Sequence, residues 1–302
     1  MQHQPARGIL YLCVGVLIFS LQDAIIKQVS GAYPLTEVVG IRSLVGVPIL
    51  LWLVHYQVGL RALVSSELAP LVLRAGIMLG AYTAYYLAFP ALPLADAVAL
   101  YFTVPLFMTA LAVPFLGEKV DWRVWAAVLL GFAGVLVMLQ PGSGLFEPAA
   151  LLSLLSAALY GTAMLMARKL GGSQVASVMA FHQNALFLLG ALAGAALFSG
   201  LDLHHLQHPS LKFLVRPWVA PSLLDATLIG SCGVIAAIGT LFLTNAYRIA
   251  KTSTVTPFEY TGILWAPLWG FLFFGEVPRL TTVAGAVVIG AAGLMAMRLA
   301  RH

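Results

Sequence analysis

The stretch Pro105–Met138 reads PLFMTALAVPFLGEKVDWRVWAAVLLGFAGVLVM. Two apolar runs are parted only by Gly117-Glu118-Lys119-Val120-Asp121. Each run approaches the roughly 20 residues that a helix needs to cross the hydrocarbon core of a bilayer. The pattern returns at Trp265–Met297 as WAPLWGFLFFGEVPRLTTVAGAVVIGAAGLMAM. Gly117-Glu118 is matched by Gly275-Glu276, and Gly131-Phe132-Ala133-Gly134 by Gly290-Ala291-Ala292-Gly293, with one residue of slippage. Self-similarity of this kind marks a duplicated chain.

Composition names the solvent. Of 302 residues 61% are hydrophobic and 9% charged, against roughly a quarter charged in soluble domains. A water-facing protein could not cover that much apolar surface, so the surroundings are lipid. The net charge of +5 comes from basic residues scattered singly between apolar runs. That pattern sets membrane orientation and does not form a nucleic-acid stripe. Cys13 and Cys232 stand in separate apolar runs without disulfide or metal-ligand spacing. The first apolar run carries Asp23 and Lys27 near its far end and is too long for a cleavable leader, so it reads as a retained span.

Ten spans are expected, at about 8–29, 35–56, 70–90, 94–116, 121–140, 148–169, 175–199, 222–248, 252–274 and 280–299. With the N-terminus in the cytoplasm, that side collects Arg7, Arg61, Lys119, Arg123, Arg168 and Lys169 among others; the opposite side holds Lys212, Arg216 and Arg279. The positive-inside rule therefore expects both termini in the cytoplasm and 200–221 outside. Phe19, Lys27 and Gly31 fall against Tyr160, Arg168 and Gly172 at one constant offset, and Arg42 falls against Gln183. The halves are 1–140 and 148–299. Five spans is an odd number, so the second half is expected upside down relative to the first. The fold class is then all-α integral membrane, with ten helices in two inverted five-helix repeats around a central cavity. Secondary transporters use this plan and hold substrate between the repeats near midplane.

Pro105, Gly117-Glu118 and Gly131-Phe132-Ala133-Gly134, with their echoes Gly275-Glu276 and Gly290-Ala291-Ala292-Gly293, resemble the drug/metabolite transporter superfamily, in particular its EamA-type ten-helix members. The likeness spans nearly the whole chain. It departs in the ninth span, where Ile263 stands at the position of Pro105 and prolines fall at Pro257 and Pro267. The resemblance implies a secondary exporter of small metabolites in the bacterial inner membrane, without a cofactor. The aromatic-rich interior points toward amino acids, aromatic or otherwise apolar. Export of drugs or other metabolites and a non-transporting lipid-handling subunit are the alternatives. The expected partners are a small-molecule substrate and the bilayer, with no nucleic acid and the chain as a monomer.

Several side chains are candidates for the pathway. Tyr82, Tyr86 and Phe89 recur at helical spacing, with Tyr85 beside them. Tyr101, Tyr160, Asn245 and Trp265 add amphipathic groups on the fourth, sixth, eighth and ninth spans, suited to an organic ring with a polar end. Glu259, after Pro257, could bind a proton or an ammonium group at membrane depth. Asp23 and Lys27, one turn apart, read either as an ion pair that locks the bundle, with Lys27 alternatively snorkelling to the outer interface, or as a gate or a contact for a zwitterion. Asp96 reads as a helix cap, Arg74 as an interface anchor, and Arg42 and His182 as buried groups with structural partners. The His204, His205 and His208 group lacks a carboxylate shell, so no metal site is expected. The chain carries no HExxH, Gly-x-Ser-x-Gly or phosphate-loop motif, so neither catalysis nor direct use of ATP is expected.

Overall fold

The computed structural model describes residues 5–64, 67–104, 106–108, 110–111, 121–140, 147–171, 173–199, 201, 206–249, 258 and 261–299. These residues are helical throughout, with turns between. In lipid the backbone must bond within each segment, which favours helices wherever apolar runs are long. The principal helices are α1 (Pro5–Val29), α2 (Leu35–Gln57), α3 (Leu68–Ala88), α4 (Leu94–Tyr101), α5 (Trp122–Leu139), α6 (Ala150–Leu170), α7 (Ala176–Ser199), α8 (Leu223–Ile249), α9 (Gly262–Phe274) and α10 (Leu280–Leu299). Six of them (α1, α2, α3, α6, α7 and α8) are long and apolar enough to cross a membrane on their own. A short helix, Pro209–Val215, crosses the expected outer connection.

Local chemistry sets the ends. The Asp121 side chain accepts the Arg123 amide at 2.7 Å and caps α5. His208 caps the short helix through the Ser210 amide, and its Nε2 stands 3.0 Å from Glu147. The fourth span is not one unbroken helix. It stops at Tyr101, turns through Phe102 and Thr103, and is helical again at Val104 and 106–108. Residue 105 is a proline, which carries no amide proton. The Thr103 hydroxyl donates to the Leu100 carbonyl at 2.7 Å.

Packing follows a rule of exchange. α1 packs on α8 as α6 packs on α3, α2 on α8 as α7 on α3, and α4 on α6 as α9 on α1. α2 packs on α7, α4 on α9 and α5 on α10. At the α5/α10 crossing, a Cβ on Gly134 would lie 3.0 Å from the Gly285 carbonyl oxygen, and one on Gly285 would lie 2.8 Å from that of Gly134. Only paired glycines let these backbones approach so closely. The connections before Leu35 and Leu223 share one end of the bundle: the Tyr33 hydroxyl donates to Asp225 at 2.7 Å, and Arg216 donates to the Gly31 carbonyl at 2.6 Å. At the other end the start of α1 meets the end of α8 through Leu12 and Ala246. Large apolar side chains such as Leu129, Leu189 and Phe271 point outward, where lipid is their solvent.

Arg74 corrects the expectation of an interface anchor. It is only 7% exposed and reaches Gln183 at 3.5 Å, because α3 is covered by α6 and α7 along its length. His182 is held as expected, between the Val178 and Leu63 carbonyls.

The orientation expected from loop charge is tested with one introduced cysteine. Ser210 is buried, whereas Lys212 is exposed. In a background with Cys13 and Cys232 replaced by serine, Lys212→Cys should react with a membrane-impermeant maleimide from outside intact cells. Reaction only after cell lysis would invert the orientation.

Candidate functional site

A cavity of about 110 Å³ lies at the middle of the bundle. α1 presents Val16, Phe19, Ser20 and Asp23 to it, a run of one helical face. α3 adds Tyr82, Tyr85 and Tyr86; the broken α4 adds Tyr101 and Phe102; α6 adds Ser156 and Tyr160; α8 and α9 add Leu243, Gly262 and Ala266. Both halves of the chain therefore build the wall. The rings are in mutual contact: Tyr85 and Tyr101 lie 4.7 Å apart between centroids, Tyr101 and Tyr160 5.5 Å, Tyr82 and Tyr86 5.5 Å. Asp23 is the one carboxylate among the described lining residues, and it accepts the Tyr85 hydroxyl at 2.9 Å. The Ser20 hydroxyl accepts the Trp269 indole N–H at 3.0 Å and donates to the Leu17 carbonyl.

Among the expected site residues, Tyr82, Tyr86, Tyr101, Tyr160 and Asp23 come together here. Trp265 and Asn245 are half-buried and outside the described lining; Trp265 stacks on Trp269, and its indole nitrogen is enclosed without a hydrogen-bond partner. Trp265 precedes the lining Ala266, and one residue turns a helix by about 100°, enough to carry the ring off the cavity. Glu259 lies outside the described residues, as do Gly117-Glu118, Pro105, His204 and His205.

Asp23 and Lys27 do not pair with each other. The Lys27 ammonium forms a 2.6 Å salt bridge with Glu276 and donates to the Leu92 carbonyl at 2.8 Å. The other Glu276 oxygen accepts the Leu94 amide at 2.9 Å. The physical reason lies in Gly275. At φ +64 it ends α9 in the left-handed region, with its amide on the Phe271 carbonyl and the Glu276 amide on that of Gly270. The turn swings Glu276 back over the start of α4. An i, i+4 pair gains only about 0.2–0.5 kcal/mol, less than this three-way clamp supplies. Asp96 is not a helix cap either. Its oxygens take Thr282 at 2.6 Å and Arg279 at 3.3 Å, so the first turn of α4 is pinned to the start of α10. Leu94 belongs to both clamp and cavity wall, so the polar cluster adjoins one end of the cavity.

Tyr85, expected only beside the aromatic face, lines the cavity while Phe89 lies outside the described lining, and Ser20, Ser156 and Phe102 are not among the expected site residues. Phe19 and Ser20 had a signal, their spacing from Asp23. Phe19 and Tyr160, matched in the repeat, both reach the cavity. Among the described residues no group of three or more His, Cys, Asp or Glu could hold a metal.

Residues 6–140 match the EamA-like transporter family. The chain is 29% identical to the pseudopaline exporter of Pseudomonas aeruginosa, over 93% of each chain. It is 26% identical to the S-adenosylmethionine uptake transporter of Rickettsia prowazekii, over 94% of this chain and 90% of that one. It is 33% identical to a riboflavin transporter of Rhizobium johnstonii, over 69% of this chain and 63% of that one. A solved crystal structure with 17% identity covers 98% of each chain at a TM-score of 0.61, which supports the fold. The chain is a multi-pass membrane transporter of small metabolites.

The clamp has a measurable worth. Lys27→Met strands the Glu276 carboxylate and should cost about 2–3 kcal/mol in equilibrium unfolding in detergent, reduced from a fully buried pair by the partial exposure of Glu276. The double variant with Glu276→Gln should recover part of that loss. Strictly additive costs would show that the two side chains are not coupled.

Proposed function

We propose that this chain, whose residues 6–140 are those of an EamA-like transporter, exports amino acids with aromatic or other apolar side chains by alternating access. The observation that carries the reading is the cavity at the junction of the halves, with tyrosine faces, tyrosine hydroxyls and one carboxylate on a single wall. Aromatic faces receive an apolar or aromatic side chain, and Asp23 attracts an ammonium group, reinforced by the neighbouring ring quadrupoles.

The exchange of helix partners between the halves supports two five-helix repeats related by a two-fold axis. The alternating ends of the connections support their inversion. In such transporters the substrate sits between repeats, beside interrupted helices. The break of α4 at Phe102 and Thr103, opposite the start of α9 at Gly262, fits that arrangement. At about 110 Å³ the cavity is below the roughly 300–1,000 Å³ of ligand pockets. Loading therefore requires the helices to part, and the Lys27–Glu276 cluster is the contact that opening at that end must release.

Purified protein in proteoliposomes should show counterflow of labelled phenylalanine, tyrosine or leucine. Asp23→Asn and Tyr101→Ala should lower the rate about tenfold or more, the scale of one lost charged hydrogen bond. Leu129→Ala, on the lipid face, should leave it unchanged. Counterflow of riboflavin or S-adenosylmethionine, with none of any amino acid, would overturn the amino-acid reading.

A further inference from the structure

Arg42 is a guanidinium enclosed without a counter-ion. It stands on α2, 1% exposed, and no carboxylate lies within salt-bridge distance of it among the described residues. Its Nη1 donates one long hydrogen bond, 3.4 Å to the Tyr86 hydroxyl oxygen, and its Nε is buried with no acceptor. The Tyr82 and Phe187 rings face it at 5.2 and 5.6 Å. Guanidinium carries five N–H donors, so most of its capacity is unused. A cation at membrane depth costs about 2.5–3.5 kcal/mol even on insertion scales, and two ring contacts offset only part of that.

The groups that touch Arg42 are also the cavity wall, since Tyr82 and Tyr86 line it. The guanidinium thus stands one side chain behind the empty space. Tyr86 Oη accepts from Gln22 Nε2 at 2.7 Å as well as from Arg42. With its lone pairs engaged by two donors, its own proton is left for an acceptor, and the cation behind it strengthens that donation. Elsewhere on the same wall is Asp23, held by Tyr85 and within the field of Arg42. Two opposite charges, one lining the cavity and one behind its wall, thus each lean on a tyrosine and not on each other. A purely structural pair would meet directly, whereas a separated pair matches a molecule carrying both charges.

We infer that Arg42, together with the Tyr86 hydroxyl, receives the carboxylate of a zwitterionic substrate whose ammonium group faces Asp23. The inference rests on the proposed amino-acid reading and adds to it the receptor for the anionic end. Loading then replaces the long Tyr86 contact with a charge-assisted one. Arg42 in this role is specificity-determining: it separates free amino acids from amines of the same shape.

The test is counterflow with two probes, L-phenylalanine and L-phenylalaninamide, which share ring and ammonium and differ at the carboxylate. The wild-type protein should favour the free acid by about tenfold or more. Arg42→Gln should erase that preference while still carrying the amide, Tyr86→Phe should weaken it, and Arg42→Lys should keep part of it. A merely structural Arg42 would lower both probes together. If Arg42→Gln does not elute as folded protein, the wild-type ratio and Tyr86→Phe decide. Equal rates for acid and amide in the wild type, or an undiminished preference in both Arg42→Gln and Tyr86→Phe, overturn the inference and leave the proposed function standing. Wild-type protein that carries neither probe overturns this inference, and if tyrosine and leucine are not carried either, the amino-acid reading falls with it.

Discussion

Between the ends of the spans, charge is held where other protein covers it, as at Asp23, Arg42 and Arg74, because lipid solvates none of it. That constraint organises the helices. Lys27 on α1 and Asp96 on α4 meet Glu276 and Arg279 at the α9–α10 connection, so opposite charges from the two halves interlock at one end. The bonds to the Leu92 carbonyl and the Leu94 amide fill remaining valences, which decides whether a buried pair stabilises at all. At the other end the contacts are mostly apolar, through Val54, Leu71, Leu170 and Val178 and through Leu12 and Ala246, with His182 at the Leu63 carbonyl a polar exception. Apolar contacts are non-directional and separate without stranding a charge. The two ends are therefore closed by different physics, and the polar one holds the more specific geometry.

Where charge is not matched, chemistry is available. Arg42 and Asp23 stand out against the interlocked cluster because neither meets an opposite charge directly among the described residues. Each leans on a tyrosine hydroxyl instead, and those tyrosines belong to the cavity wall. The same constraint that pins the bundle at Glu276 makes the cavity attractive to a polar ligand.

Much of the architecture was legible because apolar run length carries it. Spans ended within a few residues of their helices wherever Gly, Pro or an Asp cap marked the boundary, as at Pro34 and Asp121. The tyrosines of α3 were legible because side chains three and four residues apart share a face. Partners across the bundle were not. Local spacing put Asp23 with Lys27, yet each found a better partner on another helix, at Tyr85 and Glu276. The repeat had already singled out Glu276, but its reach depends on the left-handed turn at Gly275, which decides the direction of the carboxylate. Asn245 and Trp265 are amphipathic residues with no second residue at helical spacing to fix the face, and both lie outside the described lining.

A ligand moves a two-state protein only as far as its contacts differ between the states. Around the cavity Asp23 on α1 is joined to Tyr85 on α3, and Arg42 on α2 to Tyr86, also on α3. Both charges are thus tied to α3, which also packs on α6 and α7 of the other half. An ammonium group at Asp23 competes with the Tyr85 hydroxyl, and a carboxylate at Tyr86 draws its proton inward, so both ends of a zwitterion act on α3. Under the proposed reading, α3 is where occupancy of the cavity becomes a change in how the halves pack. An amine without a carboxylate engages only the Asp23 side and supplies part of that differential. Selectivity and gating then rest on the same two tyrosines.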